Sequence, residues 1–408
     1  MVASIPVVFA IVYVGMMLGG LPGLALDRTG IALLGAIAVV VIGAVSPTDA
    51  WTAIDVTTIG LLLGLMILSA QFRLGGFYTW FTQRLAAFPC SPQQFLAVVI
   101  FAAGGLSALL CNDVICLAMA PILAESCGQR RLNPVPYLLG LACAANIGSA
   151  GTLIGNPQNM LIGQVLQLRF DAYLLQASIP TLLGLVLTWL VIAIVHRGQW
   201  HAGRKIEPSA QRQLNRWQTA KALIALTALT VLLLFGTWPR ELVALAIAGT
   251  LLLSRRMASG EILELVDWHL LVLFSGLFVI NHAMETSGYL QALVDWLEHH
   301  QVVLEDPTTL FVASAVLSNL VSNVPATMLL LPSATHPLAG PALALSSTLA
   351  GNMLVVGSIA NMIVIDQAKR LGIAISWWEH ARVGVPITLA TLVTAAAWLK
   401  IWAMFLAG

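Results

Sequence analysis

The chain has 408 residues, of which 59% are hydrophobic and 9% are charged, and its formal net charge at pH 7 is +1. A soluble domain carries roughly 25% charged residues, so this composition excludes an ordinary soluble protein and indicates a polytopic membrane protein. The net charge gives no reason to expect a nucleic-acid partner.

Ten apolar stretches are long enough to cross a bilayer. They lie near residues 4–26, 30–46, 56–72, 135–166, 174–195, 219–236, 240–254, 269–285, 339–370 and 383–404. The first has neither a basic start nor a small-residue cleavage site, so we expect a retained span and not a signal peptide. The five cysteines have no CxxC or Cys/His spacing, which predicts neither a disulfide framework nor a metal site.

Two further apolar stretches, 93–126 and 308–335, are interrupted at Cys111-Asn112-Asp113 and at Ser322-Asn323-Val324-Pro325. Each half-stretch is only ~15 residues long, which is short for a span. We therefore predict two re-entrant hairpins with polar tips at membrane depth. The alternative is an ordinary pair of spans joined by a tight connector.

The basic residues predict the orientation. If the ten stretches each cross once and the N-terminus lies outside, only three of the nineteen Lys and Arg residues fall outside: Arg169, Arg240 and Lys400. This bias is what the positive-inside rule requires. It places the polar linker 196–216 in the cytoplasm, and segments 77–88 and 289–300 are expected to be amphipathic helices along the interface.

The chain repeats itself. Like residues recur at a nearly constant separation: Asp55 with Asp267, Gly64 with Gly276, Asn112 with Asn323, Asn146 with Asn352, and Thr152 with Ser358. The predicted halves are 1–195 and 217–408, each with five spans and one hairpin. Because five crossings leave the end of the first half on the opposite side of the membrane from its start, the second half is inverted relative to the first. The predicted fold is an all-α polytopic membrane protein of two inverted repeats.

Each half contains an apolar stretch broken by polar and helix-disrupting residues, Gly148–Met160 (GSAGTLIGNPQNM) and 357–361 (GSIAN). Backbone groups freed from a helix cost several kcal/mol in hydrocarbon unless protein or water covers them. Broken helices at this depth hold substrate and coupling ions in secondary transporters. The alternative is a pair of packed kinks with no ligand.

Hairpin tips and breaks together give the candidate site. Its amide, hydroxyl and carboxylate residues are Asn112, Asp113, Ser149, Thr152, Asn156, Gln158, Asn159, Ser322, Asn323, Thr327, Ser358 and Asn361. The set contains no Lys or Arg, so anion binding would depend on helix dipoles. Sodium is a candidate ligand at Asn112 with Asn159, or at Asn323 with Asn361. We expect no cofactor, and H⁺ or Na⁺ as the coupling ion.

Asp113 is the one carboxylate in the tips and breaks. An acid inside the membrane is costly and usually functional. Because an apolar environment favours the neutral acid, Asp113 is suited to carry a proton or to face a cation. The alternative role is to cap a half-helix through backbone N–H groups.

The series LCND…ANIGSAGTLIGNPQN and LSNLVSNVPAT…GNMLVVGSIAN resembles the ion-transporter superfamily. That superfamily includes arsenite/antimonite efflux permeases, citrate and divalent-anion symporters, one type of Na⁺/H⁺ antiporter and the melanosomal P protein. The resemblance implies that each hairpin tip meets an unwound helix at the centre. It also implies a homodimer, in which one domain is a scaffold and the other moves the site as an elevator.

The hairpin tips depart from one branch of the superfamily. Divalent-anion symporters carry Ser-Asn-Thr at both tips, whereas neither tip here has the Thr, and Asp113 would repel a carboxylate substrate. Arsenite permeases resemble the chain in the pair Asn112-Asp113. The leading hypothesis is therefore a proton-coupled permease of the cytoplasmic membrane for a small inorganic oxyanion or its neutral acid, of the arsenite/antimonite kind.

Three alternatives stay open: a Na⁺/H⁺ antiporter, a Na⁺- or H⁺-coupled citrate/dicarboxylate carrier, and a channel. No HExxH, GxSxG or paired-carboxylate pattern appears, so an enzyme is not expected. There is no P-loop, so ATP-driven pumping would require a separate soluble ATPase subunit. The expected partners are a small inorganic or organic ion and the lipid bilayer.

Overall fold

The computed structural model describes residues 4–19, 24–201, 213–254 and 258–407, and twenty α-helices lie in these ranges. The first half contains α1 (Ile5–Leu18), α2 (Arg28–Val41), α3 (Pro47–Thr52), α4 (Val56–Leu74), α5 (Phe77–Ala86), α6 (Pro92–Leu109), α7 (Asn112–Gln129), α8 (Pro134–Ser149), α9 (Pro157–Val165) and α10 (Phe170–Val195).

The second half contains α11 (Arg216–Phe235), α12 (Arg240–Leu252), α13 (Ser259–Leu263), α14 (Trp268–Thr286), α15 (Tyr289–His299), α16 (Pro307–Val321), α17 (Asn323–Leu330), α18 (Ala339–Ala350), α19 (Ile359–Arg370) and α20 (Trp377–Ala407). Most of the predicted linker, residues 202–212, lies outside the described ranges.

Six described helices are long and apolar enough to cross a membrane: α4, α6, α10, α11, α14 and α20. Helices α1, α2 and α16 are apolar but shorter. The first hairpin differs in length from the prediction, because α6 and α7 are each longer than the half-stretch expected from the sequence. Its tip nevertheless ends against the break of the same half.

The helix starts follow the repeat. Helices α12, α14 and α15 begin at a constant separation from α2, α4 and α5, the same separation that aligns Asp55 with Asp267. Gly76 and Gly288, which precede α5 and α15, both have a left-handed backbone, with φ of 70° and 78°. This alignment is called the Asp55/Asp267 register below.

The two breaks follow a different register. Helix α19 begins closer to α9 than the Asp55/Asp267 register requires, and closer than the predicted pairing of Thr152 with Ser358 requires. The breaks align instead with Asn159 opposite Asn361, as their hydrogen bonds show below. This second alignment is called the Asn159/Asn361 register, and it corrects the predicted pairing of the breaks.

Helices α1–α4 and α11–α14 pack together and form one body, called the scaffold below. Helix α4 packs on α12, and α2 packs on α14. A Cβ atom on Gly64 would lie 2.8 Å from the Ala244 backbone, and one on Gly276 would lie 2.9 Å from the Ala32 backbone. Ala32 and Ala244 are equivalent in the Asp55/Asp267 register, so the same small-residue contact is made twice.

Helices α6–α10 and α16–α20 form the second body, called the core. Helix α6 packs on α8, α16 packs on α18, and α10 packs on α20. The hairpin helix α7 contacts α19, and its counterpart α17 contacts α9. Each hairpin therefore touches the break helix of the opposite half, and this arrangement brings the two breaks together inside the core.

Candidate functional site

Each hairpin tip lies against the break of its own half. The backbone N–H of Asn112, at the start of α7, donates to the carbonyl of Gly155 at 3.2 Å. The side-chain amide of Asn323, at the start of α17, lies 3.1 Å from the carbonyl oxygens of Gly357 and Ser347, which it satisfies when its nitrogen is assigned to face them. The predicted meeting of tip and break is present in both halves.

The break helices α9 and α19 each carry an asparagine that binds the unwound backbone before it. The Asn159 side chain donates to the carbonyls of Ser149 (3.3 Å) and Thr152 (2.9 Å), ten and seven residues earlier. Asn361 donates to carbonyls at the same two separations, at 2.8 and 3.1 Å. These bonds replace helical bonds lost at the break, which buried backbone requires.

Asn146 of α8 joins the two halves. Its amide oxygen accepts from Asn112 at 3.1 Å and from Ser358 of the second half at 2.8 Å. Its amide nitrogen donates to the side-chain oxygens of Asn352 (2.8 Å) and Asn361 (3.3 Å). All five side chains are buried, so a first-half helix is bound to the second break without intervening charge.

Thr348 of α18 makes the reciprocal contact. Its hydroxyl accepts from Asn156 at 3.2 Å and from Gln158 at 3.1 Å, and it donates to the Asn159 amide oxygen at 3.4 Å. In the Asn159/Asn361 register, Thr348 is the counterpart of Asn146. Each half therefore supplies one polar residue, on the helix before its break, that binds the break of the other half.

Two glycines allow the close backbone approach at the first break. A Cβ atom on Gly148 would lie 2.1 Å from the Gly104 carbonyl oxygen, and one on Gly155 would lie 2.4 Å from the Ser149 oxygen. A Cβ atom cannot occupy either position. Gly148 therefore allows α8 to pack closely on α6, and Gly155 allows the unwound backbone to pack against the end of α8.

Two further residues bind carbonyls at the breaks and were not predicted. The Tyr173 hydroxyl donates to the Ala150 carbonyl at 2.7 Å, and Nε2 of His380 lies 3.1 Å from the Asn352 carbonyl. Ala150 and Asn352 are equivalent in the Asn159/Asn361 register, so the tyrosine and the histidine have equivalent places in the two halves. Nδ1 of His380 is buried and has no partner among the described residues.

Several buried hydroxyl groups near the tips have no hydrogen-bond partner among the described residues. They include Ser107 and Ser318, which precede the two tips at the same distance, and the predicted site residue Thr327. Buried polar atoms in folded proteins are normally paired. Unpaired hydroxyl oxygens in equivalent places are suited to binding a ligand or ion.

Asp113 is half-buried in the first turn of α7. Its side chain makes no hydrogen bond or ion pair with any residue that the structure describes. The cap position is occupied by Cys111, which makes no side-chain cap bond. The capping role considered for Asp113 is therefore not seen, and the carboxylate is available for a proton or a cation.

Ser322 at the second tip has φ of 79° and ψ of 160°, a conformation populated almost only by glycine. Its counterpart Cys111 has an ordinary φ of −58°. The two tips therefore differ in backbone strain, which is common at functional sites.

One basic side chain contacts the second break, although the predicted set of site residues contains no Lys or Arg. The Arg28 guanidinium, at the start of α2 in the scaffold, donates to the Val356 carbonyl at the second break at 3.4 Å. Its Nε donates to the Met16 carbonyl at 3.3 Å, and its Nη1 is buried with no partner in the described ranges. The long side chain places a positive charge of the scaffold against the core.

Nine of the twelve predicted residues belong to this hydrogen-bonded arrangement: Asn112, Ser149, Thr152, Asn156, Gln158, Asn159, Asn323, Ser358 and Asn361. The side chains of Asp113, Ser322 and Thr327 are not bonded into it. Of the unpredicted participants, only Asn146 and Asn352 carried a sequence signal, since the repeat had paired them.

Comparisons with known proteins agree with this fold. The family model for citrate transporters (CitMHS) matches residues 10–343. An uncharacterized transporter of Mycobacterium tuberculosis, Rv2684, is 29% identical over 403 residues, covering 91% of this chain and 93% of that protein. The silicon efflux transporter LSI3 of Oryza sativa subsp. japonica is 27% identical over 461 residues, covering 94% of each.

The crystal structure of the Alcanivorax borkumensis YdaH transporter has the same fold. Its TM-score is 0.56, with 14% sequence identity, and the alignment covers 99% of this chain and 97% of that one. The family match spans most of the sequence of this chain, whose structure has the paired tips and breaks described above. The chain belongs to the citrate transporter family, within the ion-transporter superfamily, and is a multi-pass membrane transporter.

Proposed function

We propose that the protein is a proton-coupled permease for a small inorganic oxyanion, carried as its neutral hydroxy acid, of the arsenite/antimonite kind. The observation that supports this best is the uncharged polar network between the halves. Asn146 and Thr348 bind the opposite breaks through amide and hydroxyl groups only.

The chemistry of such a network matches a neutral hydroxy acid. Amide and hydroxyl side chains both donate and accept hydrogen bonds, as the OH groups of arsenous acid do. A buried anion would need a compensating charge, because isolated charges are costly away from water. Silicon, which the rice relative is named for exporting, also forms a neutral hydroxy acid in water.

Asp113 is the proposed proton carrier. Its carboxylate has no partner in the described structure and adjoins Asn112, which contacts the first break. If a proton binds Asp113 on one side of the membrane and leaves on the other, substrate movement is coupled to the proton gradient. Movement of the core against the scaffold would carry both across, as the family resemblance implies.

The halves are 1–195 and 217–408, with the linker 196–216 in the cytoplasm. The protein acts as a homodimer in the cytoplasmic membrane, needs no cofactor, and uses H⁺ as the coupling ion, with Na⁺ as the alternative.

Two observations favour other substrates. The unpaired oxygens of Ser107 and Ser318, together with Asp113, suit a Na⁺/H⁺ antiporter, because Na⁺ prefers oxygen ligands. The Arg28 guanidinium at the second break would suit a citrate or dicarboxylate carrier. Both are compared directly in the experiment below.

The test is flux in proteoliposomes with an imposed pH gradient, comparing arsenite, Na⁺ and citrate. The variants are wild type, Asp113→Asn, and the matched control Asp306→Asn, which changes an exposed helix-cap carboxylate. We expect arsenite movement that dissipates the gradient, is lost in Asp113→Asn and persists in Asp306→Asn.

Other outcomes would replace the proposal. Proton exchange that depends on Na⁺, with no arsenite flux, would establish the antiporter. Citrate flux alone would establish the carboxylate carrier. Arsenite flux that never exceeds equilibration with its own gradient, in wild type and Asp113→Asn alike, would indicate a channel.

A further inference from the structure

Arg28 and Arg240 are equivalent residues of the two halves. Each is the first residue of a scaffold helix, α2 or α12, and the two align in the Asp55/Asp267 register. The scaffold around them is symmetric, since the close glycine–alanine contact recurs between α4 and α12 and between α14 and α2. We would therefore expect both arginines to meet the core in the same way.

They do not meet the core in the same way. Arg28 donates to the Val356 carbonyl, which lies at the second break. Arg240 donates to the Leu168 carbonyl, beyond the far end of α9. In the Asn159/Asn361 register the equivalent of Val356 is Ile154, which lies on the other side of α9 from Leu168.

The hydrogen bonds at the two breaks of the core are symmetric. Asn159 and Asn361 hold their breaks with the same pair of hydrogen bonds, and Asn146 and Thr348 cross between the halves reciprocally. Two internally symmetric bodies therefore meet asymmetrically. In an inverted repeat, exchanging the two placements gives a second arrangement in which the same local contacts are made by the opposite half.

We infer that Arg28 and Arg240 are positioning residues that exchange roles as the core moves, each binding a break carbonyl in one end state and the carbonyl beyond the break helix in the other. This rests on the proposed function only in taking the core as the moving part. In the second state Arg240 binds the Ile154 carbonyl and Arg28 binds that of Arg370. The lengths of α9 and α19, which have 9 and 12 residues, correspond to a displacement of roughly 14–18 Å.

A neighbouring contact gives the exchange a measurable form. In the present state the Gln164 side chain donates to Glu241 at 2.9 Å, next to the hydrogen bond from Arg240 to the Leu168 carbonyl. Asp366 is equivalent to Gln164 in the Asn159/Asn361 register, and Thr29 is equivalent to Glu241 in the Asp55/Asp267 register. Asp366 now pairs with Arg370 at 2.8 Å, and Thr29 donates to the carbonyl of His269 at 3.3 Å. In the second state, Thr29 and Asp366 come together.

Reagents can reach the first of these pairs. A polar cavity of about 710 Å³ lies beside it and is lined by Gln164, Arg169, Asp171, Arg240 and Glu241, among others. Asp366 of the second pair is exposed.

The experiment uses a variant without the five cysteines, in which two cysteine pairs are introduced separately: Gln164→Cys with Glu241→Cys, and Thr29→Cys with Asp366→Cys. A third pair, Gln71→Cys with Gln218→Cys, replaces two side chains that are hydrogen-bonded within the scaffold at 2.5 Å. A short bifunctional thiol reagent is applied in proteoliposomes. We expect all three pairs to crosslink and the first two to arrest flux. The scaffold pair reports correct folding and leaves flux intact.

Arg28→Gln and Arg240→Gln then test the exchange of roles. Because each arginine binds a carbonyl in both end states, each substitution should destabilise both end states relative to positions of the core between them. We therefore expect the yields of both crosslinks between scaffold and core to fall at least twofold, with partial rescue by Arg→Lys. If an arginine stabilises only the present state, its substitution would lower the yield of the Gln164/Glu241 crosslink and raise that of the Thr29/Asp366 crosslink.

The inference is overturned if the Thr29/Asp366 pair never crosslinks in a protein that transports and forms the other two crosslinks. If all three crosslinks form and arsenite is not transported, the exchange of roles between Arg28 and Arg240 is supported and the proposed substrate is wrong.

Discussion

The hydroxyl of Ser358 donates to the amide oxygen of Asn146 at 2.8 Å, although the two residues belong to opposite halves. Both side chains are almost fully buried, with 2% and 1% exposure. A hydrogen bond shielded from water in this way is electrostatically strong, and leaving either partner unpaired is costly. This contact places the second break against the first half.

We expect Asn146→Ala to destabilise the protein by about 1–3 kcal/mol for each buried partner left unpaired and to abolish flux. Thermal unfolding in detergent and flux in proteoliposomes measure the two effects. The control is Ser275→Ala in α14, whose hydroxyl bonds only to the Leu271 carbonyl of its own helix. Normal unfolding temperature and flux in Asn146→Ala would contradict the bridging role.

The two break asparagines provide a paired prediction. Asn159→Ala and Asn361→Ala each leave two carbonyls of a break without a donor, at about 1–3 kcal/mol for each carbonyl. Their losses of unfolding temperature should therefore be similar, and each aspartate variant should lose at least as much, because a carboxylate cannot donate. Clearly unequal losses would show that the breaks are not energetically equivalent.

Asp306 gives a pH-dependent prediction. It caps α16 by accepting the backbone N–H of Thr309 at 2.8 Å, and this hydrogen bond holds the pKa of Asp306 below its usual range. A lowered folded-state pKa means that the charged form stabilises the fold above the unfolded pKa of ~3.9, and that this stability is lost as the pH falls through the folded value.

Two variants separate the cap from its charge. Asp306→Ala should cost about 0.5–2 kcal/mol at pH 7, whereas Asp306→Asn keeps a good cap and removes the carboxylate. Unfolding temperatures measured from pH 7 down to pH 3 should therefore fall less steeply for Asp306→Asn than for wild type. Identical pH profiles would exclude Asp306 as a contributor.

The strained tip provides a stabilising variant. Ser322→Gly should raise stability by about 1 kcal/mol. Glycine adopts this backbone conformation without the strain of order 1–3 kcal/mol that serine has, but it loses more backbone entropy on folding, which offsets part of the gain. The control is Cys111→Gly at the equivalent tip, where φ is −58° and glycine should only destabilise. An unfolding temperature for Ser322→Gly below that of wild type would contradict strain at the second tip.

Much of the organisation was predictable from local sequence. The separation of Asp55 from Asp267 located the repeat, and the helices that follow these residues begin at the same separation. Polar residues inside apolar stretches, such as Asn112 and Asn159, identified the tips and breaks, because such residues are expensive in a membrane unless they have partners. The amphipathic segments after Gly76 and Gly288 are helices, as expected.

The partners of those residues were not predictable. Thr348 lies in an apolar helical run, where a threonine usually bonds its own helix. Nothing in the neighbouring sequence distinguishes Thr348 from a threonine whose hydroxyl accepts no hydrogen bond. Its hydroxyl nevertheless accepts hydrogen bonds from Asn156 and Gln158, which belong to another segment.

The alignment of the two breaks was not predictable either. Sequence similarity aligns Thr152 with Ser358, whereas hydrogen bonding aligns Asn159 with Asn361. The unwound backbone has no helical periodicity to fix the register, so the carbonyls that the two asparagines reach decide it.

The sequence by itself determined that this is a membrane protein of two related halves with interrupted helices, since composition and periodicity are properties of the chain alone. Tertiary structure decided that Arg28 reaches Val356 at a break while Arg240 reaches Leu168 beyond one. The two arginines are equivalent in sequence, and only the placement of the core against the scaffold distinguishes them. That placement depends on contacts between segments far apart in the chain, and the local pattern of a repeat does not specify such contacts.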